Sequence, residues 1–212
     1  MQVEIWADVV CPWCYIGKAR FDKALAGFEH RDEVEVVHRS FELDPGRAAD
    51  DVVPVTEMLT AKFGPQAAGM DAGVAELAEA EGLGYRRDRV VGNTFDVHRL
   101  LHLAGEHGLR DELTTAAFHA NFAEARSLFT TGDLVDLAVK GGLDGEEARA
   151  ALADPHRFAE DVRADQRLAR EIGISGVPFF LLGRTHAVSG AQSVELLTSA
   201  LRQAWDAQPK ST

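Results

Sequence analysis

The sequence predicts an α/β fold interrupted by a large helical insertion, and three observations point there. Residues 2–9 alternate apolar and polar side chains with the period of a strand, and a helical period takes over at Cys11. Strand-like composition returns in only two further places, around "EVEVVHRSFEL" and "GVPFFLLGR". The long stretch between those two segments is helical in pattern and punctuated by glycine.

In the first strand Val3, Ile5, Ala7 and Val9 alternate with Gln2, Glu4 and Asp8, and Trp6 adds apolar bulk to the second face. Cover on both sides is therefore expected. Cys14, Gly17, Phe21, Ala24, Leu25 and Phe28 then share one helical face, and Pro12 suits the first turn of a helix. With "EVEVVHRSFEL", residues 1–45 read as β-α-β, with a right-handed crossover if the strands are parallel.

From Thr56 to Ile172 the periodicity predicts helices over 56–63, 66–81, 94–107, 110–125, 131–140, 144–153 and 155–172. Asp144, followed three residues on by Glu147, is an expected N-cap. For the last helix, Asp154 is the expected cap, Pro155 the first helical residue and Gly173 the terminator. "GVPFFLLGR", "THAVSG" and 192–206 complete the chain as a hairpin and a closing helix. Segments 1–45 and 173–212 are thus expected to form one discontinuous domain, with 46–172 inserted and its last helix, 155–172, leading back.

The composition narrows function by exclusion. A formal net charge of -12 with no Lys/Arg-rich run argues against a nucleic-acid partner, since phosphate binding needs a basic footprint. No apolar run is long enough to span a bilayer, so no membrane partner is expected. "MQVEIWADVV" lacks the basic and apolar regions of a secretory signal, which places the expected location in the cytoplasm. Nothing in the sequence speaks to the oligomeric state.

Both cysteines stand in "DVVCPWCYIG", where a strand runs into a helix. A pair at i and i+3 can close a disulfide, and two cysteines cannot build a disulfide scaffold. At the helix edge Cys11 faces unsatisfied N–H groups and the positive end of the helix dipole, which favour thiolate. Cys11 is the expected nucleophile, and Cys14, one turn in on the apolar face, the resolving thiol.

The competing reading is half of a zinc site, completed by His98 and His102 at i, i+4 spacing in "HRLLH". That segment lacks the Glu of HExxH, and no third cysteine exists. Metal is not expected, and no P-loop, GxGxxG or hydrolytic triad is evident. Pro178, read by itself, is a trans proline opening a strand, because only about 5–6% of X–Pro bonds are cis.

"DVVCPWCYIG", "NTFDVHRLLHLA", "GISGVPFFLL" and "VSGAQ", in this order over nearly the whole chain, resemble the DsbA family of thiol-disulfide oxidoreductases, particularly its FrnE-like branch. The resemblance implies a thioredoxin fold with an inserted all-helical domain. It implies a protein-disulfide oxidoreductase or isomerase with Cys11, Cys14 and a cis Pro178 as its centre. It also implies that Pro12, Trp13 and Val177 line a substrate surface, Val177 through its backbone.

Partners would be dithiol or disulfide proteins, or glutathione as a co-substrate, with no further cofactor. Trp13 stands where periplasmic DsbA has His, which implies a less oxidising pair. The buried acid that many relatives carry six residues before the first cysteine is replaced by Ile5, leaving Asp8 to serve in proton transfer or to position the motif. Asn93 lies in a segment similar to glutathione-using isomerases and kappa-class transferases, and either lines the groove or caps a helix. A glutathione-dependent isomerase or transferase of the 2-hydroxychromene-2-carboxylate isomerase or kappa type, on a small aromatic or polyketide-like substrate, is the alternative enzyme. A binding module or chaperone is the non-enzymatic one.

Overall fold

The computed structural model describes residues 1–208. A four-stranded sheet has the order β2-β1-β5-β6, formed by β1 (Gln2–Ala7), β2 (Glu35–Ser40), β5 (Phe179–Leu182) and β6 (His186–Ser189). β1 and β2 are parallel, as the β-α-β reading requires, and the remaining pairs are antiparallel. The register sets Ile5 against Phe180 and Trp6 against Phe179. Val3, Ile5, Phe180 and Leu182 form one face, which packs against Phe21 and Phe28 of α1 (Pro12–Ala26) and its continuation, and against Leu197 and Leu201 of α9 (Val194–Asp206).

The other face is covered by α8 (Ala159–Glu171), so Trp6 is fully buried beside Ala169 and Ile174. Its indole N–H donates to the Asp165 carbonyl at 3.2 Å, satisfying the one polar atom of the ring. Glu4 lies in the same strand and departs from the polar, outward position that simple alternation predicts. It is buried and accepts two bonds from Arg39, at 3.0 and 2.7 Å. A carboxylate in that position is tolerable only because the guanidinium pairs with it.

Between β2 and β5 run α2 (Val55–Phe63), α3 (Ala67–Ala80), α4 (Phe95–Glu106), α5 (Arg110–Phe118), α6 (Thr131–Lys140) and α7 (Gly145–Ala153). Their largest core joins Leu100, Leu103, Leu113, Leu128, Leu134 and Leu137. A short antiparallel ladder of β3 (Val53–Pro54) with β4 (Val90–Val91), which the periodicity did not anticipate, closes the loops around α2 and α3. Asp144 accepts from the N–H groups of Glu146 and Glu147, as its cap position predicts.

Two helices depart from expectation. The segment expected as one helix over 110–125 leaves α-geometry after Phe118 for a single π-turn, His119–Ala123. The last helix starts at Ala159 rather than Pro155, because Phe158 takes a left-handed φ of 61°. Asp154 caps a turn instead, accepting from His156 N–H at 2.9 Å. The buried Arg99 holds this turn, donating to the carbonyls of Ala151 at the end of α7 and of Asp154 and Arg157 before α8.

Candidate active site

The chain turns from β1 into α1 through Asp8, Val9 and Val10. Cys11 N–H donates to the Asp8 carbonyl at 3.0 Å, and Cys11 occupies the N-cap with an extended backbone (φ -85°, ψ 115°). Pro12 takes the first helical position, where its missing N–H costs nothing. The Cys11 carbonyl accepts from Cys14 and Tyr15 N–H, which locks the first turn. The Cys11 side chain makes no capping bond. Instead its thiol reaches the Val177 carbonyl, 3.7 Å away on the segment before β5.

Both cysteines are thiols. Cys11 retains 4% exposure and Cys14 1%, so the inner position of Cys14 holds but Cys11 is itself largely covered. Burial first, and then the adjacent Cys11 sulfur, push the Cys14 thiol well above its ordinary range; a backbone hydrogen bond from Asp8 works against them. Trp13, between the two, is 41% exposed.

The Val177–Pro178 peptide is cis, in agreement with the family resemblance and against the local preference for trans. Pro178 is pressed against α1 at Gly17, where an added Cβ would meet Pro178 Cγ at 2.8 Å. A glycine is therefore required for the helix and the proline segment to approach this closely.

The insertion forms a wall of the site. Tyr15 stacks on Phe122 at 5.0 Å and near Phe118 at 5.8 Å, and these rings pack with Cys11 and Cys14. Asn121, in the π-turn, donates to the Val9 carbonyl at 3.2 Å. Arg20 and Lys23 of α1 both bind the Glu81 carboxylate, each at 2.6 Å. None of these contacts is evident from sequence spacing; the glycine at 17 and the aromatic directly after Cys14 were the available signals.

Asp8 is buried behind the motif. Its Oδ2 accepts from Leu43 N–H at 2.7 Å, and its Oδ1 lies 3.5 Å from His98 Nε2. His102, one turn along α4, belongs to a separate cluster, with its Nε2 3.2 Å from Asp165 Oδ2 and 3.2 Å from Ser40 Oγ. The two imidazoles serve different partners rather than a common ion. Among the described residues, no group of three or more His, Cys, Asp or Glu could hold a metal.

Asn93 spends both ends of its amide on the chain, accepting from Phe95 N–H at 2.9 Å and donating to the Arg47 carbonyl at 2.7 Å. It ties the start of α4 to the loop after β2. No helix among the described residues is long and apolar enough to cross a membrane.

The fold is shared with known proteins. A crystal structure of a probable DsbA oxidoreductase from Streptomyces coelicolor is 58% identical, covers 100% of this chain and 93% of that one, and superposes with a TM-score of 0.96. YwbO, an uncharacterized protein of Bacillus subtilis strain 168, is 28% identical over 95% of this chain and 96% of its own length. The cytosolic disulfide reductase DsbM from Pseudomonas aeruginosa, solved with GSH, shares the fold at 16% identity, with a TM-score of 0.68 over 97% of this chain and 100% of that one. The model of the DSBA-like thioredoxin domain matches residues 2–202, and the chain belongs to that family.

Proposed function

We propose that the chain is a cytoplasmic thiol-disulfide oxidoreductase, able also to isomerise disulfides, acting through Cys11 and Cys14. The observation that carries this reading is the set of contacts at the start of α1. Cys11 lies at the helix N-terminus with its sulfur 3.7 Å from the Val177 carbonyl, and Cys14 lies buried one turn behind it. The helix end favours a charged sulfur at Cys11. A substrate disulfide is attacked there, giving a mixed disulfide that Cys14 resolves. Pro12, Trp13 and the backbone at Val177 form the surface on which an extended substrate segment lies.

The substrates are dithiol or disulfide proteins, with glutathione as the small-molecule partner. Membership of the DSBA-like family supports this, as does a related fold in a protein described as a cytosolic disulfide reductase with GSH. The test is reduction of insulin and reactivation of scrambled ribonuclease by the wild type, Cys11→Ser and Cys14→Ser. Both activities should vanish in Cys11→Ser, and Cys14→Ser should accumulate a mixed disulfide. Activity that persists in Cys11→Ser excludes the assigned nucleophile. Glutathione binding that survives that substitution, with no insulin reduction in the wild type, would favour a glutathione-dependent isomerase instead.

A further inference from the structure

We propose that His98 and Glu42 are positioning residues for the resolving thiol: with Asp8 they form a buried relay that receives the Cys14 proton as the mixed disulfide is resolved. The proposal rests on the oxidoreductase reading above and assigns it an acid–base apparatus drawn partly from the insertion.

Four polar atoms carry the inference. Asp8 Oδ1, Glu42 Oε1 and both ring nitrogens of His98 are buried without a hydrogen-bond partner. Nε2 of His98 and Oδ1 of Asp8 are 3.5 Å apart, within ion-pair reach but not aligned as a hydrogen bond. Unpartnered buried groups of this kind cost stability, and most folds avoid them. His102 provides an internal contrast. One turn further along α4 its Nε2 lies 3.2 Å from both Ser40 Oγ and Asp165 Oδ2 and its Nδ1 3.3 Å from Arg110 Nη1, so on the same helix neither nitrogen of that imidazole is left without a partner. At His98 both are.

The position of the group explains why. Asp8 is attached to the redox motif, its carbonyl accepting Cys11 N–H at 3.0 Å. The groups facing His98 are Asp8 from the turn before α1 and Glu42 from the segment after β2. Gln166 of α8 donates to Glu42 Oε2 at 2.6 Å, and the charge of Arg163, on the same helix, also favours the Glu42 carboxylate. Burial pushes the Glu42 carboxyl up, and the Gln166 bond and the nearby His98 work against that rise. Negative charge on Asp8 opposes ionisation of Cys14. Moving the Cys14 proton onto the relay avoids creating a second buried anion, because the charge of the enclosed group as a whole is unchanged.

The step balances as follows in the direction that reduces substrate. In the mixed disulfide, Cys11 Sγ is bonded to the substrate sulfur and Cys14 is a thiol. The Cys14 proton passes to the relay, and its electron pair forms the Cys11–Cys14 bond. The Cys11–substrate bond breaks, and the substrate sulfur leaves with that pair as a thiolate and takes a proton from solvent. The protein dithiol has lost two electrons and the substrate disulfide has gained them. The reverse reaction returns the relay proton to Cys14.

The experiment uses reduced protein mixed in a stopped-flow instrument with glutathione disulfide labelled on both halves, from about pH 5.5 to 9. The concentration-dependent phase reports attack by Cys11, and the concentration-independent phase reports resolution by Cys14. In His98→Gln the second phase should slow by at least about tenfold near neutral pH, the lower side of what positioned proton transfer contributes. Its pH profile should collapse to a single rise, while the first phase keeps its wild-type rate. Glu42→Gln, which retains an acceptor for Gln166, should shift the same profile and serves alone if His98→Gln does not fold. Wild-type pH profiles in the folded variants, even with lowered stability, would overturn the relay. A wild type that shows no concentration-dependent phase would instead remove the oxidoreductase reading.

Discussion

Gly17 and Pro178 occupy each other's van der Waals boundary: a Cβ on the glycine would meet the proline Cγ at 2.8 Å. The proline ring has no flexible end to move aside, so an added methyl must displace the helix or the segment carrying Val177. Gly17→Ala is expected to cost about 1–3 kcal/mol of stability, the usual penalty of overpacking. It should lower insulin reduction more than the loss of folded protein explains, because Val177 faces Cys11. Urea unfolding alongside the insulin assay at equal folded fraction checks this. Unchanged specific activity would show that the contact only fills space.

The two thiols should differ in reactivity. Burial, the larger cause and the one that persists without the Cys11 sulfur, holds Cys14 above the ordinary thiol range, and the thiolate is the form that alkylates. Native Cys11→Ser protein, which has only Cys14, should therefore react with iodoacetamide at least about tenfold more slowly at pH 8 than Cys14→Ser, which has only Cys11. Equal rates by mass spectrometry would contradict the division of roles.

Trp13 offers a cleaner separation of binding from folding. Its side chain is 41% exposed, so Trp13→Ala should change stability by no more than about 0.5 kcal/mol. If the ring supports substrate, KM for a disulfide peptide should rise with little change in kcat. A fall in melting temperature with KM intact would make the ring structural.

How much of this was readable from the sequence depends on how local the cause is. The alternation of Val3 and Ile5, Pro12 at a helix start and the Asp144 cap are decided by near neighbours, and the structure follows them. The α8 boundary departs from the expected one where Arg99, far away in sequence, binds the carbonyls of Asp154 and Arg157. Pro178 by itself argued for trans, and only the family resemblance pointed to the cis bond that the structure contains. His98 and His102 share a spacing suited to a metal, yet the groups beside them come from the turn after β1, from β2 and from α8, which no spacing rule reveals. Glu42 had no functional signal at all, and the glycine at 17 marked a close approach without naming Pro178, because both roles rest on residues distant in the chain.

Asp165 is the buried acid on which several elements converge. Its carboxylate accepts from Arg39 at 3.0 Å and from Ser40 N–H at 2.9 Å, with His102 at 3.2 Å. Removing the charge with Asp165→Asn leaves Arg39 only its Glu4 pairing and takes the carboxylate from His102, a loss of about 3 kcal/mol by analogy with other buried pairs that lose one partner. Chemical denaturation at neutral pH measures it, and a change below about 1 kcal/mol would show that the cluster is solvated in practice.

Acid should unfold the protein partly through Asp111. The hydrogen bond from His38, followed by the charge of Lys18, outweighs burial and holds this carboxyl well below the ordinary range. A depressed folded value means the contribution is complete above the unfolded value of about 3.9 and is lost as pH falls beneath it. Asp111→Asn should thus be less stable near neutrality, by about 1 kcal/mol given its partial exposure, and lose less stability between about pH 4 and 2. Parallel wild-type and variant curves over that interval would rule the group out.

Arg20 and Lys23 grip Glu81 on one flank of α1, Asn121 holds Val9 at its entrance, and Tyr15 lies on Phe122. The cysteine helix is therefore moored to the insertion along its length as well as to the sheet. Any shortening of the chain that removes Glu81, Asn121 and Phe122 takes away the moorings of the redox helix and one side of its sulfur chamber. In this protein the embellishment between β2 and β5 behaves as masonry of the centre, and a pared-down version containing only the sheet and its own helices would be a different catalyst.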